Sequence, residues 1–183
     1  NFFLYGLVFF LIGHLFYVKA FYNSNIIFRK EVVIPCLISI SIYCGIFMYY
    51  LLPVVSIGMI GPVAIYALTI AVMVFLAINR CYTSYIIAND PAICSEHELI
   101  TLNSGICCCI GAFIFLCSDT ILAINNFYAP VNGASVSIMV TYYLAQMLVA
   151  ASCHEEPHAS IAALLEYEDR DMDADSSILN LNP

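Results

Sequence analysis

The amino-acid sequence predicts an all-α fold, a polytopic transmembrane helix bundle with five spans. Composition is the first reason. Of 183 residues, 63% are hydrophobic and only 10% charged, and the mean hydropathy is +0.94. A soluble domain carries about 25% charged residues and needs that polar surface to stay dissolved. A disordered chain needs low hydrophobicity, so that class is excluded too. Length is the second reason, because five apolar stretches each approach the roughly 20 residues that cross a hydrocarbon core. Continuity is the third. The stretches do not alternate polar and apolar residues, which argues against a β-barrel. A backbone in lipid must satisfy its own hydrogen bonds, so the spans are helices.

The spans are expected at residues 2–22, 32–52, 59–79, 104–125 and 134–152. Asn23-Ser24-Asn25 ends the first and Pro53 the second. Gly61-Pro62 lies at the start of the third, and Arg80 opens the connection after it. Ala129-Pro130 with Asn132-Gly133 makes a short turn between the fourth and fifth. The chain starts at Asn1 and enters an apolar span at once, with no basic segment before it. That span is also too long for a secretory signal. An upstream portion is therefore expected to be absent from this sequence.

Charge is as uneven as it is scarce. The basic residues are Lys19, Arg29, Lys30, Arg80 and Arg170, while eight of the thirteen acidic residues lie in 155–175. The net charge of −8 thus describes a tail. Without a basic stripe, nucleic-acid binding is excluded. Lys19, Arg29, Lys30 and Arg80 all fall on alternate connections, the same side of a five-span bundle. Basic residues mark the cytoplasmic side, so the acidic tail is expected there as well. The division is a helix bundle over 1–153 and a mostly disordered acidic tail over 154–183, with a short helix possible at 159–168.

Nine cysteines show no zinc-knuckle or disulfide spacing. Cys107, Cys108 and Cys109 point about 100° apart on a helix and cannot converge on one ion. They are read as packing residues. His154-Glu155-Glu156-Pro157-His158 matches the H-E-x-x-H zinc-protease pattern. Pro157 breaks the helix that the motif requires, so no metal is expected there.

Three ionisable residues fall inside spans: His14, Lys19 and Asp119. Lys19 is near a helix end and snorkels to the headgroups. Asp119 lies within the apolar depth, where a carboxylate costs about 2.5–3.5 kcal/mol, which makes it a functional candidate. Cys108, Gly111, Ala112, Phe115, Asp119, Leu122 and Ala123 share one helix face. The small residues there would let a neighbouring helix approach closely. In the fifth span, Tyr142, Tyr143 and Gln146 make a polar cluster, and Tyr142 and Gln146 are an i, i+4 pair. With His14 as a titratable partner, these residues suggest a buried polar cavity.

Three segments carry a family resemblance. The first is Gly6-Leu7-Val8-Phe9-Phe10-Leu11-Ile12-Gly13-His14-Leu15-Phe16-Tyr17. The second is Gly111-Ala112-Phe113-Ile114-Phe115, Ser118-Asp119 and Ile121-Leu122-Ala123-Ile124-Asn125, then Phe127 and Pro130. The third is Thr141-Tyr142-Tyr143-Leu144-Ala145-Gln146-Met147-Leu148. Over roughly residues 1–153 the chain resembles the lysoplasmalogenase family of integral-membrane proteins, also called YhhN. The resemblance implies a bundle of about eight helices, of which this chain holds the later five. It also implies a lysophospholipid substrate, a lysoplasmalogen whose vinyl ether is hydrolysed to a fatty aldehyde and a glycerophospho-base. Family members carry a Gly-Asp motif on a helix upstream of the His14 segment, and that helix is not in this sequence. The resemblance brings Ser118 and Asn125 into the candidate site beside Tyr142, Tyr143 and Gln146.

The chemistry can be reasoned without the family. Vinyl ether hydrolysis begins with protonation of the β-carbon, giving an oxocarbenium ion that water attacks. It needs a carboxylic acid that keeps its proton near neutrality. Apolar surroundings disfavour the charged form of a carboxyl. Asp119 has such surroundings and is expected to be the acid or the cation stabiliser, with His14 as proton relay. Tyr142, Tyr143 and Gln146 are expected to hold water or the phosphate end, and no cofactor or metal is needed. Two other readings are a proton-coupled transporter using Asp119 and His14 and a non-catalytic membrane partner. The expected location is the endoplasmic reticulum membrane.

Overall fold

Spans with almost no charge give the backbone no partner but itself, and five long helices result. The computed structural model describes residues 2–22, 26–89 and 96–153. Its helices are α1 (Phe2–Tyr22), α2 (Lys30–Leu51), α3 (Ile57–Asn89), α4 (Glu96–Ala123) and α5 (Ala134–Ser152), with a π-helical turn Ile124–Tyr128 ending α4. Five helices are long and apolar enough to cross a membrane, and the described residues hold no strand. The protein is a multi-pass membrane protein. The acidic tail, the His154–His158 motif, Asn23-Ser24-Asn25 and Cys94 lie outside the described residues.

The expected spans and the helices agree at α1 and α5 and differ in the middle. Helix α3 runs ten residues past Asn79, and α4 begins eight residues before Ser104. Pro62 is the sixth residue of α3, inside the helix and not at its start. Arg80 is not in a connection. It sits within α3, 4% exposed, with Nη2 donating to Ser104 Oγ (2.9 Å) and to the Ser152 carbonyl (2.8 Å). Ser104 Oγ donates to the same carbonyl at 2.6 Å, and the guanidinium lies 6.0 Å from the centroid of Phe21. One cation thus joins α1, α3, α4 and the end of α5, where a positive group also offsets the negative pole of the helix.

Helix α3 is the axis of the bundle. Val63, Tyr66, Ile70, Met73, Val74, Ala77, Arg80, Ser84 and Ile87 are buried along one face at helical spacing. Phe21, Cys108, Ala112, Phe115, Ala145 and Val149 pack with it into one core. Lipid supplies no hydrophobic drive between helices, so close packing of small residues has to hold them together. Gly111 shows this: a Cβ there would lie 2.9 Å from Val149 Cγ2. The small-residue face expected on α4 therefore does meet α5.

Helix α2 is the outlying member and leans on α3 and on the π turn. At the far end of α4 the Ala129 N–H bonds the Ile124 carbonyl at 3.0 Å, which closes the wide turn, and Pro130 ends it. Asn125 Oδ1 accepts the Val131 N–H at 3.0 Å. Gly133, with φ of 74°, then supplies the left-handed residue that starts α5.

Arg80→Met keeps much of the side-chain volume but removes both donors. Charged hydrogen bonds contribute about 1.5–3 kcal/mol each. The expected result is a lower thermal unfolding midpoint in detergent, measured by loss of helical circular dichroism, with Lys19→Met unchanged as an exposed control.

Candidate functional site

Asp119 stands on α4 with its two oxygens aimed at different helices. Oδ1 accepts the Tyr66 hydroxyl of α3 at 3.0 Å. Oδ2 faces His14 Nε2 of α1 at 3.7 Å, and neither of these two buried atoms has a hydrogen bond to a described residue. His14 is 2% exposed, with the rings of Tyr66 and Phe115 at 5.4 and 5.2 Å. Its Nδ1 lies 2.8 Å from the Phe10 carbonyl, one turn back. A carbonyl only accepts, so Nδ1 carries hydrogen, and in the neutral ring Nε2 offers a lone pair to Asp119. A carboxylate opposite that lone pair would be acceptor against acceptor. The complementary states are carboxylic acid with imidazole, or carboxylate with imidazolium. Both hold one proton between Oδ2 and Nε2.

A second polar group lies on α5 and α1. Gln146 Nε2 donates to Tyr142 Oη at 3.0 Å, and the Tyr17 hydroxyl donates to Gln146 Oε1. Aromatic contacts join this group to the first: Tyr17 packs edge-on to His14, and Tyr142 edge-on to Phe115. The i, i+4 spacing of Tyr142 and Gln146 is realised as a hydrogen bond. Tyr143, one residue on from Tyr142, meets its ring edge-on at 5.4 Å but is 58% exposed. Ser118 Oγ donates to the Ile138 carbonyl at 3.2 Å and pins α4 to α5. Asn125 is engaged with the turn after α4, as described. The structure brings together Asp119 with His14, and Gln146 with Tyr142. It does not bring Ser118 or Asn125 to either group, and Tyr143 touches the second through the ring of Tyr142 while remaining exposed.

Tyr66 and Tyr17 are the residues that the sequence reading missed. A tyrosine hydroxyl at mid-span needs a partner in lipid, and that was the available signal. Tyr17, three residues after His14 on the same face, was the more legible of the two.

On its other side Asp119 borders a cavity of about 550 Å³, within the usual range for ligand sites. The walls come from α1, α2, α3, α4 and the π turn, and they are overwhelmingly apolar. Tyr43 and Thr120 both border it and share a hydrogen bond of 2.6 Å between α2 and α4. Among the described residues, no three His, Cys, Asp or Glu side chains gather as a metal site.

Fold and site together define an intramembrane helix bundle in which a buried carboxyl faces a histidine beside an apolar cavity. The chain belongs to the YhhN family, whose sequence profile matches residues 1–153. Lysoplasmalogenase TMEM86A of Homo sapiens is 31% identical over 155 residues, 85% of this chain and 57% of the relative. The Bos taurus protein of the same name is 28% identical over the same shares. Lysoplasmalogenase TMEM86B of Sus scrofa is 26% identical over 85% of this chain and 55% of its own length. The chain thus spans a little over half the length of these relatives. No solved structure matches it.

Proposed function

We propose that the protein is an ether hydrolase that cleaves the vinyl ether bond of lysoplasmalogens, releasing a fatty aldehyde and a glycerophospho-base. The observation that carries this reading is the buried Asp119 Oδ2 facing His14 Nε2 at 3.7 Å, with Asp119 at the wall of an apolar cavity. The names of the relatives agree with it. Asp119 gives its proton to the β-carbon of the vinyl ether, and its carboxylate then faces the oxocarbenium ion. Water adds to the cationic carbon bonded to the ether oxygen and gives up a proton to His14, which returns it to Asp119. The hemiacetal breaks its C–O bond to the glycerol as its hydroxyl proton passes, through Asp119, to the departing glycerol oxygen, leaving aldehyde and alcohol. Tyr66 fixes the carboxyl by its hydrogen bond to Oδ1. Tyr142 and Gln146, tied to Tyr17, are assigned to orient water or the polar end of the substrate, with Tyr143, Ser118 and Asn125 in supporting positions. The basic first connection and the acidic tail face the cytoplasm by the distribution of Lys19, Arg29 and Lys30, and the endoplasmic reticulum is the proposed membrane.

The test follows the proton. Whole protein in detergent, given a lysoplasmalogen in heavy water, should release aldehyde carrying one deuterium next to the carbonyl. A saturated ether analogue should release none. No aldehyde from folded protein, or aldehyde without deuterium at that carbon, overturns the reading. A proton-coupled transporter would instead acidify or alkalinise proteoliposomes without consuming the lipid.

A further inference from the structure

Two thiols outside the site meet where α3 touches α4. Cys81 on α3 and Cys109 on α4 are both half-buried, and their thiols share a hydrogen bond. Backbone geometry explains the meeting. The two helices run antiparallel, since Tyr66 reaches Asp119 while Arg80 reaches Ser104. Gly105 brings them close: a Cβ there would lie 3.1 Å from Cys81 Cα. Cys109 is one turn, about 6 Å, further along α4 on the same face. Side chains lean toward the N-terminus of their own helix. On antiparallel helices, Cys81 and Cys109 therefore lean toward one another. Cys36 on α2 also stands near Cys109 and is the rival partner.

The pair lies at one end of the bundle, where an oxidant arrives from water or from lipid. Arg80, next to Cys81, bonds the carbonyl of Ser152, the last residue of α5. Helix α5 rises about 28 Å, close to the thickness of a hydrocarbon core, so its end stands at headgroup level. Cys81 shares that level, and Cys109 is about one turn deeper. Asp119 is a further 15 Å or so along α4, which keeps the pair apart from the hydrolytic site.

We propose that Cys81 and Cys109 are a redox pair, which a hydroperoxide closes to a disulfide that ties α3 to α4. One thiolate attacks the terminal oxygen of the hydroperoxide. The O–O bond breaks, a sulfenic acid forms, and the departing oxygen takes up the thiol proton as an alcohol, or as water from hydrogen peroxide. The second sulfur then attacks the sulfenic sulfur. The S–S bond forms, the S–O bond breaks, and hydroxide leaves as water with the second thiol proton. Two thiols lose two electrons and the peroxide gains them. The tie closes the connection between α3 and α4 into a loop, which restricts the unfolded chain.

Whole protein in phospholipid vesicles, treated with hydrogen peroxide or with a phospholipid hydroperoxide, gives the test. After alkylation and digestion, mass spectrometry should find Cys81 joined to Cys109 as the main link, released by a reducing thiol. Either oxidant forming it supports the pair, and the one that acts at lower concentration identifies the supply as bilayer or water. A main link between Cys36 and Cys109 overturns the proposal. So does the absence of the Cys81–Cys109 link once Cys153, exposed at the end of α5, is already oxidised. The unfolding midpoint is a second readout. Oxidation should raise it by about 5–15 °C in the wild type, reversibly with reductant. It should not do so in Cys81→Ser or Cys109→Ser. An unchanged midpoint in linked wild-type protein overturns the tie, whether or not the variants fold.

Discussion

Asp119→Asn should abolish aldehyde release, lowering turnover by about 10²–10⁴-fold, the usual contribution of a positioned proton donor. Asparagine keeps the shape of the side chain and its carbonyl oxygen still accepts the Tyr66 hydroxyl, which now lies 3.0 Å from Oδ1. What disappears is the acidic proton facing His14. Turnover and unfolding midpoint measured on the same preparation separate the two effects. An unchanged rate would sink the mechanism, and a collapse of stability in step with the rate would assign Asp119 a packing role. Tyr66→Phe is the companion. It removes one neutral hydrogen bond, which contributes about 0.5–1.5 kcal/mol, and leaves the acid in place. Its expected loss is far smaller, with aldehyde still formed.

Gly105→Val should be the most damaging substitution in the bundle outside the site. A Cβ at Gly105 would lie 2.6 Å from Ser84 Oγ, 2.8 Å from Ser84 Cβ and 3.1 Å from Cys81 Cα. The last of these is backbone, so rotating a side chain cannot relieve the contact and α3 must separate from α4. Overpacking of this kind costs about 1–3 kcal/mol, and here it also disturbs Ser104, which holds Arg80. A fall in unfolding midpoint, with loss of the close α3–α4 approach measured by cross-linking, is the expected outcome. Gly45 on α2 has nothing within 4 Å of its Cβ position. Gly45→Ala should be neutral or slightly stabilising, since alanine is favoured over glycine in a helix by about 1 kcal/mol.

The spans were legible because hydropathy alone separates lipid-facing stretches from connections. It failed where polar residues are buried. Asn79, Arg80, Thr83 and Ser84 look like the edge of a loop, yet each has partners inside the bundle. Asn79 Nδ2 donates to the Phe75 carbonyl, and Thr83 Oγ1 accepts the Ile27 N–H. The Phe75 carbonyl is one turn back on α3 itself, but the partners of Thr83 and Arg80 come from tertiary structure, which no window along the sequence contains. The site divides in the same way. Asp119 and His14 were visible because ionisable groups are rare at that depth, and Tyr142 with Gln146 because i, i+4 neighbours face each other. The hydroxyl of Tyr66 was not, since a tyrosine in a span looks the same whether it meets lipid or a carboxylate. Tyr143 shows the limit of grouping by proximity in sequence, because adjacent residues on a helix face different directions.

Among the described residues, those bordering the cavity belong to the long helices and the π turn, and none to the short connections at 52–56 or 129–133. On the lipid-hydrolase reading, a ligand of this apolar cavity is expected to exchange with the surrounding bilayer and not with bulk water. The concentration that governs occupancy is the mole fraction of ligand among lipids. Adding inert phospholipid to proteoliposomes at fixed total substrate should slow turnover by surface dilution, whereas diluting the same vesicles in buffer should leave the rate per protein unchanged.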